Sequence, residues 1–259
     1  MIAPVTSPAE RSIADALRSY ALPLGCPAGL LEGSRALRHH RSVEGDGHIH
    51  TFARGDVGVV SLPASASGMD DAAITDLLNA TRGDLPPGSV MDIAGATLAL
   101  EDDPLLTLAD QQTLRVQAGR FASLVYEPRE AVLDDLRAEV SPLDWREGGG
   151  DLKAVRRVGA LAGGSLVALA TMDTPVGRLA RLRVVVSPSF RRRGFGALVL
   201  HELSHRVLGE GHLTHARLSV ANIGAHALAS AVGFVEFARS LTMRMVAGTD
   251  YPVATSTSP

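Results

Sequence analysis

Apolar positions recur along the chain with two alternating periods, and the switches between them mark out short elements. From Pro8 to Leu22, Ile13, Ala14, Leu17 and Ala21 fall at helical spacing, and Ser7-Pro8 opens the run. His48–Phe52 and Val57–Leu62 read as two strands joined by Arg54-Gly55-Asp56, a hairpin signal. Helical spacing returns from Asp70 to Ala80 through Ala73, Ile74, Leu77 and Leu78. Gly83 to Gly88, with two prolines, reads as a loop, and Val90 to Leu100 as one strand. Beyond the turn-rich Glu101 to Pro104, Thr113 to Tyr126 supplies a strand, Arg129 to Val140 a helix, and Trp145 to Gly150 a closing loop.

The pattern sharpens after this point. Val155–Leu161 and Ser165–Thr171 are strands around Ala162-Gly163-Gly164, and Arg178–Val186 is a longer strand. Gly194–Leu208 is a helix stopped by Gly209 and Gly211, His215–Val220 a strand, Ala225–Val232 a short helix capped by Gly233, and Val235–Met245 one or two closing strands. Three strands, then helix, strand, helix, strand, predict a mixed sheet with one crossover helix. Two domains are expected: an N-terminal α/β domain over 1–104, and a second over 105–259 that carries the chemistry.

Composition narrows the function classes. The 259 residues are 46% hydrophobic, ample for a large core. The net charge of −3 argues against nucleic acid as a partner, since that needs a broad basic surface. Cys26 is the single cysteine, so no intramolecular disulfide can form, and a reducing compartment is expected. The start MIAPVTSPAERS lacks the basic and apolar regions of a secretory signal, and no apolar run is long enough to span a bilayer. A soluble cytoplasmic protein, without a membrane partner, is the expectation.

The densest chemical signal follows the apolar run Val184, Val185, Val186. A Ser187-Pro188 break leads into Arg191-x-x-Gly194-x-Gly196 and then a helix. A strand, a tight turn and a helix N-terminus place unpaired N–H groups and the positive end of a helix dipole where an anion can bind. Arg191, Arg192 and Arg193 add charge, so the partner is expected to carry phosphates.

These residues resemble the GCN5-related N-acetyltransferase superfamily. Its acyl-CoA motif, Gln/Arg-x-x-Gly-x-Gly/Ala after a strand, is matched by Arg191, Gly194 and Gly196. A second motif, Asn-x-x-Ala-x-x-Leu-Tyr-x-x-x-Gly-Phe, is matched at Asn222, Ala225, Leu228, Gly233 and Phe234. The resemblance covers 154–247. It implies an α/β fold with a mixed, mostly antiparallel central sheet flanked by helices, the acyl-CoA N-acyltransferase fold, and acetyl-CoA as co-substrate with no metal. Backbone groups of Val184, Val185 and Val186 would pair with the pantetheine arm. A donor there would stabilise the oxyanion, worth about 3 kcal/mol. The N–H groups of Arg192, Arg193, Gly194, Phe195, Gly196 and Ala197 would hold the diphosphate, and Asn222 would help fix the arm.

Two departures stand out. The tyrosine that often protonates the leaving thiolate is replaced by Ala229. Leu179-Ala180 occupy the region where some members carry a glutamate. Ser219 and Ser230 are poor proton donors, and Asp173 reads as a turn residue, so no catalytic acid or base is assigned.

Other motifs admit rival readings. His201-Glu202-Leu-Ser-His205 is a formal HExxH, with both imidazoles on one helix face and Glu202 as base of a zinc hydrolase. His212 is one residue out of register for a third ligand, Glu236 is distant, and solvent-facing histidines opposite a Val199, Leu200, Leu203, Val207 stripe explain the pair as well. His48-x-His50 reads as two rings exposed on an outer strand. Val199 stands where a dinucleotide fingerprint needs its third glycine. Transfer of an acetyl group to a primary amine, on a small molecule or peptide, by direct attack is the leading expectation. A non-catalytic CoA-binding regulatory module is the third reading. The N-terminal domain is expected to bind no CoA and to shape the acceptor cleft. Acceptor identity and oligomeric state are not encoded in any motif.

Overall fold

The computed structural model describes residues 8–21, 24, 26, 29–32, 37–41, 48–63, 66, 69–83, 90–93, 96–102, 104–115, 123–151 and 153–245. Its elements are α1 (Pro8–Ala21), α2 (Gly29–Glu32), β1 (Leu37–Arg41), β2 (His48–Arg54), β3 (Val57–Leu62), α3 (Asp71–Arg82), β4 (Val90–Ile93), β5 (Ala96–Asp102) and β6 (Pro104–Ala109). There follow β7 (Ser123–Tyr126), α4 (Glu130–Glu139), α5 (Pro142–Glu147), β8 (Arg156–Ala162), β9 (Ser165–Met172), β10 (Leu179–Val186), α6 (Phe195–Gly209), β11 (Leu213–Ser219), α7 (Ile223–Val232) and β12 (Val235–Met245). Among the described residues no helix is long and apolar enough to cross a membrane.

Two compact units share these elements, and they interleave along the chain. One contains Thr107–Ala216 and Gly224–Val235; the other contains Ile13–Leu106, Arg217–Ile223 and the strand residues from Glu236 onward.

In the unit built on the N-terminal residues, β2 and β3 form an antiparallel hairpin in which Arg54 pairs with Val57, and β1 runs parallel to β3. β12 pairs antiparallel with β2 on one edge and with β5. Helix α3 starts where the Asp70 carboxylate accepts from Ala73 N–H at 2.8 Å, an N-cap. It buries Ala73, Ile74, Leu77 and Leu78 against Ile49, Val60, Leu62, Leu98, Leu241 and Met243. Between α3 and β2, the hydroxyls of Thr81 and Thr51 share a buried hydrogen bond of 2.6 Å.

Two expectations are corrected here. Val90–Leu100 is not one strand but the hairpin β4–β5, with Ile93 opposite Ala96. β2 is not an outer strand. It lies between β3 and β12, and His50 and His48 are half-buried, with His50 Nδ1 3.3 Å from Thr242 Oγ1.

The other unit orders its strands β7-β8-β9-β10-β11, with β6 beside β11. Neighbours from β7 to β10 are antiparallel, and β10 and β11 are parallel. The sheet is therefore mixed and mostly antiparallel, as the element order predicts, because only β10 to β11 is bridged by a crossover helix, α6. Val185 packs with Leu133, Leu136, Val140 and Trp145 of the α4–α5 segment, whereas Val186 faces Gly196 of α6. Neighbouring strand residues point to opposite faces, so helices cover both sides of β10. Helix α6 buries Val199, Leu200, Leu203 and Val207 and leaves His205 exposed, as the stripe predicts, whereas His201, also expected to face solvent, is half-buried.

The stretch read as a closing loop at Trp145 begins instead as helix α5. Ser141 Oγ accepts from Asp144 N–H at 3.0 Å, and Pro142 occupies the first turn, where a missing N–H costs nothing. Trp145 is buried, and its indole N–H donates to Asp151 Oδ1 at 2.8 Å.

Candidate functional site

β10 brings the candidate residues to the start of α6. Its register with β11 runs from Leu179↔Leu213 to Arg181↔His215, while its other edge pairs with β9 from Leu182 to Val186. Val184, Val185 and Val186 thus follow the Arg181↔His215 pair. The strand ends as Ser187 N–H donates to Val167 O at 2.9 Å, and a single 3-10 turn over Pro188–Phe190 reverses the chain.

The loop into α6 has two left-handed residues, Arg192 at φ 63 and Gly194 at φ 89. Gly194 is the helix N-cap, exposed, with open space around its Cα. Its requirement is conformational, since an L residue there costs about 1–2 kcal/mol. Arg192 carries that cost without a glycine's freedom. The first bond of the helix runs from Leu198 N–H to Gly194 O at 3.0 Å. The N–H groups of Phe195, Gly196 and Ala197 precede it, and among the described residues none of them has a main-chain acceptor. Successive amides of this kind, with the positive helix end behind them, form a concave anion receptor.

The three arginines are not equivalent. Arg191 Nε donates to Val186 O at 3.3 Å, and its Nη2 lies 3.1 Å from Asp144 Oδ2. Arg193 stacks on Phe190 at 5.1 Å, and Phe190 meets Phe195 edge-on at 5.7 Å. Arg192 is exposed, and among the described residues no carboxylate pairs with it. Asp144 was not a sequence candidate. Ser141-x-x-Asp144, a capping-box pattern, was the signal that could have marked it. Its carboxyl sits below the usual range, chiefly because Ser141 hydrogen-bonds to it, with Arg191 adding to the effect against partial desolvation.

Gly196 is a packing residue as well: a Cβ there would meet Val186 Cγ2 at 3.1 Å and Leu228 at 3.5 Å. The second motif therefore packs on the first through Leu228. Gly233, at φ 102, ends α7 under the carbonyl of Thr113, into which a Cβ would run. Arg115 N–H donates to Val232 O at 2.8 Å in the same corner. Asn222 lies at the turn before α7, exposed, its N–H donating to Ser219 O at 2.9 Å. It falls in the other compact unit from the α6 loop.

Ala229, in the tyrosine's place, is 3% exposed, and Ser219 and Ser230 are exposed. Asp173 is more than a turn residue: its Oδ2 pairs with Arg183 at 3.1 Å. In the HExxH segment the rings of His201 and His205 stack at 6.4 Å. Glu202 accepts from the Tyr126 hydroxyl at 2.9 Å and lies 3.7 Å from Arg206. Burial lowers the His201 pKa, His205 adds to this, and Glu202 opposes it. Among the described residues no group of three His, Cys, Asp or Glu could hold a metal ion.

Residues 157–243 match the sequence model of the family described as FR47-like protein. Among curated proteins none matches the sequence. Solved structures with a similar chain include a GNAT-family acetyltransferase from Colwellia psychrerythraea, 14% identical, covering 76% of this chain and 65% of that one with a TM-score of 0.47. A GCN5-related N-acetyltransferase from Kribbella flavida is 15% identical, covering 58% and 60%, with a TM-score of 0.43. An aminoglycoside N-acetyltransferase in complex with CoA is 16% identical, covering 47% and 93%, with a TM-score of 0.36. This chain thus spans about two thirds or less of the first two structures' length.

Proposed function

We propose that this chain, whose C-terminal segment is GNAT-related, transfers an acetyl group from acetyl-CoA to a primary amine by direct attack. The observation that carries this reading is the amide array at the start of α6, opened by left-handed Gly194 directly after β10. An array of free N–H groups at a helix N-terminus suits a diphosphate, and exposed Arg192 adds a charge beside it. The residues present fit such a group: Gly194 allows the turn, and Arg191, Phe190 and Phe195 hold its shape.

Main-chain groups of Val184 to Val186 would align the pantetheine arm as an added strand, and an N–H there would stabilise the thioester oxyanion. Bound acetyl-CoA supplies an activated acyl group and a thiolate leaving group. The attacking amine must arrive neutral. With Ala229 in the tyrosine's place, no side chain is assigned to protonate the thiolate, which is a tolerable leaving group unaided. The acceptor class proposed is a primary amine on a small molecule or peptide.

The experiment is thiol release from acetyl-CoA by the full chain across a panel of amines, amino acids, polyamines and peptides. Acceptor-dependent release supports transfer. Saturable acetyl-CoA binding with no release on any amine would favour the second reading, a CoA-binding regulatory module, which buried Ala229 recommends. A zinc hydrolase is not favoured, because Glu202 is engaged by Tyr126 and Arg206.

A further inference from the structure

The left-handed Arg192 must be held in place by its surroundings, because strained backbone persists only where neighbours over-determine it. Arg191, the preceding residue, is fixed at both ends of its guanidinium. Nε donates to Val186 O at 3.3 Å, closing the chain across the Pro188–Phe190 turn, and Nη2 meets Asp144 Oδ2 at 3.1 Å. Asp144 is fixed in turn by the α5 cap: its N–H donates to Ser141 Oγ at 3.0 Å, and its Oδ2 accepts from the Ser141 hydroxyl at 2.8 Å. On the far side, Arg193 stacks on Phe190. Of the three arginines, Arg192 is the one with neither a carboxylate nor an aromatic ring against it, among the described residues.

We propose that Asp144, held by Ser141, is a positioning residue for the anion-binding loop: it makes Arg191 an internal brace of that loop rather than a ligand of the phosphates. The α5 segment thereby sets the order of the loop through one ion pair. This inference rests on the acetyl-CoA reading for its ligand but not for its geometry. A brace and a phosphate ligand predict opposite responses to loss of the carboxylate. Removing a brace loosens the loop and weakens anion binding. Removing a competitor for a ligand frees it and tightens binding.

Coenzyme A is titrated calorimetrically, over a range of salt concentrations, into the full-length chain and into Asp144→Asn, Asp144→Ala and Asp144→Glu. Amide exchange at Phe190, Arg191 and Leu198, whose hydrogen bonds close the loop, is followed by NMR without ligand. The brace predicts faster exchange at these amides in Asp144→Asn and Asp144→Ala. It predicts about two- to fivefold weaker coenzyme A binding, the scale of an exposed ion pair, with the salt slope unchanged and partial rescue by Asp144→Glu. Tighter binding on loss of the carboxylate, or unaltered exchange in both variants, would overturn it. A wild-type chain that binds no coenzyme A refutes the proposed function, and the exchange result then decides the brace alone. Asp144→Asn keeps the side chain's shape, so the comparison survives if Asp144→Ala fails to fold.

Discussion

Gly196 of α6 and Leu228 of α7 approach so closely that a Cβ on the glycine would stand 3.5 Å from both Leu228 methyl carbons. The two motifs that are separate in sequence are therefore one packed unit, and the second glycine of the first motif is a packing residue. Gly194 differs: it has open space but a left-handed backbone.

The glycines should consequently respond differently to substitution. Gly194→Ala is expected to cost about 1–2 kcal/mol, for backbone conformation alone. Gly196→Val, which forces Val186 and Leu228 apart, should cost about 1–3 kcal/mol by overpacking. Gly233→Ala combines φ 102 with a collision at Thr113 O, and should be the most damaging of the three. Urea unfolding midpoints check the order; Gly233→Ala as stable as the wild type would show that corner to be wrongly described.

A fragment beginning at Leu105 should not fold as the intact chain does. β12 pairs with β2 and β5, which lie within 48–102, so the fragment strips these two partners from residues 239–245 and leaves β6 as the remaining neighbour. The expected outcome is aggregation or loss of a cooperative thermal transition. A monomeric fragment with a sharp transition would contradict the pairing.

His201 gives a pH signature. Its folded pKa lies below the ordinary imidazole value of about 6.5. Below that value the unfolded chain takes up a proton that folded His201 resists, so stability falls as pH drops through this range. His201→Gln should reduce the fall in melting temperature between pH 7.5 and pH 5.5. An equal fall in both proteins would remove His201 as its source.

Much of this was readable because local signals and tertiary packing agree. The hairpin β2–β3, helix α3, and the succession from β8 to α7 follow from periodicity punctuated by glycine, and the stripe Val199, Leu200, Leu203, Val207 is the buried face of α6. Errors came where context outweighs pattern. Val90–Leu100 is mostly apolar, interrupted only by Asp92, Gly95 and Thr97, so periodicity does not reveal the reversal between Ile93 and Ala96. Trp145–Gly150 ends in three glycines and reads as a loop. Gly150 is there because a Cβ would strike the Trp145 ring, and Gly148 because one would press on Val185. The anion loop was legible from its glycines, but the fate of its arginines was not. Which one meets Asp144 depends on a helix far away in sequence.

The most direct measurement is calorimetric titration of acetyl-CoA into the full-length chain and into Gly194→Val. A β-branched residue cannot comfortably hold φ 89, so the variant should lose the amide array while leaving the rest of α6 intact. One saturable site per chain, weakened by salt and weakened at least about tenfold in Gly194→Val, is the predicted result, since each tenfold corresponds to about 1.4 kcal/mol. No binding by the wild type, or equal affinity in a folded Gly194→Val, would contradict the assignment of this loop to acetyl-CoA.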